Sequence, residues 1–158
     1  MNKLKNLNIK IFADGADLLS IERLSTNTNI SGFTTNPSLM KKAGVKDYKK
    51  FCQEVLEITK NKPVSFEIFS DDLDKMYDQA KEIASWGKNI FVKIPITNSK
   101  GLKTSGLIKK LLEDGIKCNV TAILTIQQVE EIYKISNNTT EVIISIFAGR
   151  IADTGIDP

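Results

Sequence analysis

Histidine is missing from all 158 residues. That absence excludes Ser-His-Asp and Cys-His arrangements and every metal site built on imidazole, so acid–base chemistry has to come from Asp, Glu, Lys, Tyr or water. Cysteine is scarce: Cys52 and Cys118 stand far apart in different pattern contexts. No long apolar stretch follows the charges of the opening MNKLKNLNIKIF, so neither a signal peptide nor a transmembrane span is read there, and a reducing cytoplasm is the expected location. Charge of one sign never accumulates, since 22 basic and 19 acidic residues are scattered along the chain for a formal net charge of +3. That argues against a nucleic-acid or membrane partner. The lysine pairs in DYKKF and LIKKLLED sit beside acids in helix-like patterns and read as solvated helix faces. Gly149 and Gly155 match neither a dinucleotide fingerprint nor a P-loop, and no nucleotide cofactor is expected.

What is present is a chain 41% hydrophobic, long enough to bury a core and sized for one domain spanning 1–158. Short β-branched runs at 9–14, 30–34, 64–69, 89–96, 116–124 and 141–147 alternate with five stretches of helical period at 17–25, 47–60, 71–87, 99–115 and 125–137. Strands apolar on both faces and alternating with helices predict parallel βα units, in an open doubly wound sheet or a closed (β/α)₈ barrel. Asp14, Thr34 to Asn36, Glu67, Lys93, Asn119 with Thr121, and Ser145 stand at or near the C-terminal ends of these runs. Both architectures build their sites along that edge. A closed barrel usually takes about 250 residues, roughly 200 at least, so either the sheet is open or two βα units are lacking.

Lys93 interrupts the strand NIFVKIPIT at 89–97. Apolar neighbours disfavour an ammonium and free the amine lone pair that a Schiff-base nucleophile needs. Equally, a lysine at a strand end can extend its charge to solvent or pair with a carboxylate such as Glu67. Asp14, in ADGAD, fits a turn or helix cap as well as a functional acid. Glu67 interrupts VSFEIFS, where a charge would be buried on either face, so it calls for a partner or a shifted pKa. In GFTTNPSLM, Asn36 or Ser38 can cap a following helix, and the proline ends ladder pairing. Within CNVTA, Asn119 and Thr121 share one side of their strand because side chains alternate. Arg150 suits a bidentate phosphate or carboxylate contact, or a plain surface position.

In chain order, the Asp ending the first strand, GFTTNPS, VSFE, FVKIPIT, NVTAIL and SIFAGRIAD resemble the transaldolase family. The likeness is to its short-chain branch, which includes fructose-6-phosphate aldolase-like enzymes, and it covers the whole chain. The resemblance implies a (β/α)₈ barrel, of which about six βα units are present, with no metal or cofactor. It also implies that Lys93 forms a Schiff base with a ketose phosphate, that Asp14 takes the proton from the C4 hydroxyl, and that Glu67 and Thr121 hold the catalytic water. Asn36 and Asn119 would then orient the dihydroxyacetone unit with Thr34 near them, while Ser145 and Arg150 meet substrate hydroxyl and phosphate.

Two positions bear on the branch. Members that act mainly as aldolases tend to carry glutamine at the position of Glu67 and tyrosine at that of Phe147, so both residues favour a transferase. The implied function is transfer of a dihydroxyacetone unit from sedoheptulose 7-phosphate or fructose 6-phosphate to glyceraldehyde 3-phosphate or erythrose 4-phosphate, in the non-oxidative pentose phosphate pathway. The alternatives are a fructose-6-phosphate aldolase, or an inactive or assembly-dependent barrel. Family members continue through two more strands and a C-terminal helix, so the barrel is expected to be truncated at its C-terminus. A homo-oligomer is expected as well.

Overall fold

The computed structural model describes residues 8–136 and 140–158. They form two compact units, one of residues 8–67 with 86–90, the other of 68–85 with 91–136 and 140–158. The opening residues 1–7, read above for a targeting segment, and Asn137, read above as a helix end, lie outside the described residues. Among those described, no helix is long and apolar enough to cross a membrane.

The first unit runs β1 (Ile11–Asp14), α1 (Leu18–Ser25), β2 (Ile30–Thr34), α2 (Pro37–Lys42), α3 (Tyr48–Thr59) and β3 (Val64–Glu67). Its strands are parallel and follow chain order, with Asp14 opposite Thr34 and Thr34 opposite Ser65. Each helix starts where a short polar side chain satisfies an orphan N–H: Asp17 accepts from Ser20, Asn36 from Leu39 and Asp47 from Lys50. The buried positions of α3, Phe51, Cys52, Val55 and Thr59, recur at helical spacing and turn one stripe inward. With Phe33, Val64 and Phe66, each at most 1% exposed, they make the core of this unit. Gly32 has no substitute in β2: a Cβ there would run into the Phe12 ring and stand 2.7 Å from the Pro63 carbonyl oxygen.

The second unit holds α4 (Leu73–Ser85), β4 (Ile90–Pro95, beyond its first residue), α5 (Ser105–Glu113), β5 (Cys118–Ile123), α6 (Ile126–Ile135), β6 (Val142–Ile146) and α7 (Ala148–Ala152). Strands β4, β5 and β6 are parallel, in that order. Val92 and Ile94 are fully buried and Ile96 nearly so, as are Met76, Ala80 and Ile83 of α4 and Ile108, Leu111 and Leu112 of α5. Side chains alternate along a strand, so the opposite face of β4 carries half-buried Lys93 and Pro95.

One short helix, α2, realises the capping alternative read at Asn36, and another, α7, departs from the sequence reading. α2 starts at Pro37, where the ring fixes a helical φ and the missing N–H is no loss; its six residues are too few to show a period. α7, five residues long, is hidden for the same reason. The expected helix at 99–115 begins only at Ser105, because Asn98 organises the preceding loop. Its Oδ1 accepts from the N–H groups of Lys100 and Leu102, and its Nδ2 donates to the Asp71 carbonyl. The lysine pairs do lie on solvated faces, with Lys50 and Lys109 each 3.9 Å from a glutamate one turn on.

Candidate active site

In the first unit the parallel register lines up Asp14, Thr34 and Ser65. Register partners of parallel strands face the same side, and the two-residue alternation adds Glu67 to that face. The Thr34 hydroxyl donates to Asp14 Oδ1 at 2.8 Å. This bond holds an exposed carboxylate at a fixed orientation at the end of β1, where it would otherwise swing through solvent. Asn36 caps α2, its Oδ1 accepting from Leu39 N–H at 3.0 Å, so the capping alternative describes this residue's oxygen. The Nδ2 group is the part left to meet a ligand.

In the second unit Lys93 is the register partner of Asn119, and Pro95 that of Thr121. On the far side of Asn119, Ser145 donates its hydroxyl to Asn119 Oδ1 at 2.7 Å. One polar layer therefore crosses three consecutive strands, with Lys93 on β4, Asn119 on β5 and Ser145 on β6. Asn119 and Thr121 are each only 2% exposed. Thr121 Oγ1 is buried and makes no hydrogen bond among the described residues, a costly state for a hydroxyl in a folded interior unless a ligand or water engages it.

Lys93 is the fourth of six residues in β4 and Asn119 only the second in β5, so the layer lies within the strands and not at their last residues. The sequence had placed these residues near strand ends because a run of β-branched residues marks a strand without marking where its ladder stops. Beyond Thr121 the backbone of β5 is strained: Ala122 has φ +60°, and the register with β6 shifts between Val120 and Ile123. A left-handed conformation costs a non-glycine residue about 1–2 kcal/mol, and nothing in the composition of NVTAIL announces it. Ala122→Gly removes that strain against an unfolded-state entropy cost of about 0.4–1 kcal/mol. We expect a net stabilisation of roughly 0.5 kcal/mol by urea denaturation; a loss of about 1 kcal/mol or more would show that the Ala122 methyl is needed for packing.

Phe147 is 37% exposed and follows β6 directly, its N–H donating to the Ile123 carbonyl at 2.8 Å. Arg150, on α7, meets Asp153 at 3.3 Å and keeps 76% of its side chain in solvent. With Ile146, Phe147 and Gly149, these two line an open depression of about 480 Å³. A cation in such a depression has room for an anionic group, and its exposed ion pair with Asp153 offers little resistance to exchange.

Cys52 and Cys118 are buried and free. Burial pushes each thiol up to about 12, which keeps both protonated and unreactive. Among the described residues no three His, Cys, Asp or Glu side chains gather into a metal-binding group.

Residues 11–157 match the family model described as Transaldolase/Fructose-6-phosphate aldolase. A probable transaldolase of Streptococcus agalactiae is 38% identical over 149 residues, covering 94% of this chain and 65% of the relative. A probable transaldolase of Dehalococcoides mccartyi is 35% identical over the same shares of the two chains, and probable transaldolase 2 of Listeria monocytogenes 36%, with 64% of that protein covered. The chain thus spans about 65% of the length of the curated relatives it matches. A solved structure titled QR15, an Aldolase, superposes with a TM-score of 0.53 over 99% of this chain and 90% of the other at 16% identity, a likeness of fold alone. The fold is that of the (β/α)₈ barrel, of which this chain contributes six βα units.

Proposed function

The chain belongs to the transaldolase/fructose-6-phosphate aldolase family, and from that premise we propose that it transfers a dihydroxyacetone unit between sugar phosphates through a Schiff base on Lys93. The observation that carries this reading is the layer Lys93–Asn119–Ser145: an amine on a strand whose neighbours are apolar, flanked in register by an amide that a serine hydroxyl holds in place. A surface lysine has no use for such a setting.

The chemistry follows from what these groups can do. The Lys93 amine adds to the C2 carbonyl of the ketose phosphate. The resulting carbinolamine loses water, with Glu67 and Thr121 relaying the protons through a bound water. The buried Thr121 hydroxyl, which makes no bond among the described residues, supports that part. Asp14 takes the C4 hydroxyl proton as the C3–C4 bond breaks, and the two electrons of that bond flow into the protonated imine to give an enamine. The aldose phosphate leaves. Another adds through its carbonyl carbon, and Asp14 returns the proton to the new C4 oxygen before hydrolysis frees Lys93. Asn36, with Thr34 beside it, and Asn119, steadied by Ser145, would orient the three-carbon unit, and Arg150 would take the phosphate. Every electron pair comes from substrate or lysine, so the cycle calls for no metal or cofactor.

The test is to incubate the chain with fructose 6-phosphate, reduce with borohydride and map the adduct by mass spectrometry. A three- or six-carbon adduct on Lys93 is expected; a folded chain that gains none sinks the proposal. Turnover measured with and without erythrose 4-phosphate then separates a transferase, which turns over slowly without acceptor, from an aldolase that releases dihydroxyacetone. Glu67 and Phe147 favour the transferase.

A further inference from the structure

The ladder between β2 and β3 advances two residues at a time. Phe33 N–H donates to the Pro63 carbonyl at 2.9 Å and Thr35 N–H to the Ser65 carbonyl at 3.1 Å. The next step would take the N–H of residue 37 to the carbonyl of Glu67. Residue 37 is proline and has no N–H. In its place the Tyr48 hydroxyl, from the start of α3, donates to the Glu67 carbonyl oxygen at 2.7 Å, the usual length of a good O–H···O bond.

Tyr48 is itself held. Its ring meets Trp86 edge-on, with centroids 5.6 Å apart and planes at 73°. Asp47 caps the helix it begins, accepting from Lys50 N–H, and fully buried Cys52 stands one turn on. Burial first, then the neighbouring Cys52 thiol and Glu67, push the Tyr48 phenol far above its ordinary range. It therefore stays a proton donor across any working pH.

We propose that Tyr48 is a positioning residue for Glu67: its hydroxyl replaces the backbone donor that Pro37 lacks, orients the last peptide of β3, and so aims the Glu67 side chain. The proline that starts α2 and presents Asn36 as its cap also cuts the ladder at the residue whose carboxylate direction matters. A side chain from the following helix closes the gap. This inference rests on the role proposed above for Glu67 in forming the imine.

Tyr48→Phe removes the hydroxyl and keeps the ring against Trp86. The measurement is the rate of borohydride-trappable imine formation on Lys93 with fructose 6-phosphate, in the wild-type chain, Tyr48→Phe, Glu67→Gln and the double variant. Tyr48→Phe is expected to slow the wild-type rate about tenfold while KM stays within about twofold, since misdirecting a group costs turnover and leaves uniform binding intact. In the Glu67→Gln background the same change should cost less than about twofold, because a residue that acts through Glu67 has nothing left to aim. An equal loss in both backgrounds would mark a general packing effect and overturn the proposal, as would an unchanged rate in the wild-type background. A wild-type chain that traps no substrate fails differently: it removes the Schiff-base reading, and the positioning role with it.

Discussion

Lys93→Met should abolish borohydride-trapped adducts and lower sugar-phosphate turnover by ~10⁴-fold or more, while the chain stays folded. Removing a covalent nucleophile removes a whole reaction path, which is why such losses are among the largest seen in enzymes. Methionine has similar length and no charge, so it suits a half-buried position on a strand whose adjacent residues Val92 and Ile94 are fully buried. The unfolding free energy should change by less than about 1.5 kcal/mol, as for other swaps that keep volume. Lys93→Arg serves as a companion: its guanidinium keeps the charge but is never a nucleophile near neutral pH, so it too should be inactive. Turnover in either variant within about tenfold of the wild type would overturn the assignment of Lys93.

The second large effect concerns the carbon–carbon bond. Asp14→Asn is nearly isosteric, and its amide oxygen can still accept the Thr34 hydroxyl that now lies 2.8 Å from Asp14 Oδ1. The local geometry is kept; the capacity to take a proton is lost. Turnover should fall by about 10²–10⁴-fold, the usual weight of a positioned general base. Imine formation precedes cleavage, so the Lys93 adduct should persist in this variant and shift to the intact six-carbon sugar. Loss of the adduct together with turnover would place Asp14 in substrate binding instead, and turnover within about threefold of the wild type would remove it from the chemistry. Reading both variants by mass spectrometry separates the two residues: one loses the covalent bond, the other stalls after it.

Much of the fold was legible in the sequence. Strand and helix alternation, the parallel pairing, and the residues at Asp14, Thr34, Asn36, Glu67, Lys93, Asn119, Thr121 and Ser145 all stand in local patterns, because burial imposes a period and polar residues break it visibly. The short helix α7 escaped because so few residues show no period, while α2 was legible only through its cap at Asn36. Tyr48 escaped for another reason. It lies 19 residues from the carbonyl it serves, at the start of a helix whose DYKKF stretch reads as a solvated face. Ala122 escaped because dihedral strain is invisible in composition.

By itself, then, the sequence determined the type of the longer elements, the parallel sense of the strands and the identity of the polar residues on each strand, since hydrophobic periodicity and backbone sterics act over a few neighbours. It also limited the acid–base groups to carboxylates, lysine, tyrosine and water, simply by holding no histidine. The tertiary structure alone decided register: that Lys93 faces Asn119, that Asn119 takes the Ser145 hydroxyl, and that Asp14 takes the Thr34 hydroxyl. Register is set by long-range packing of apolar faces, and a slip of one residue would turn every polar side chain to the opposite face. The structure likewise decided that the N–H missing at Pro37, the first residue of α2, is answered at the Glu67 carbonyl by the Tyr48 hydroxyl at the start of α3.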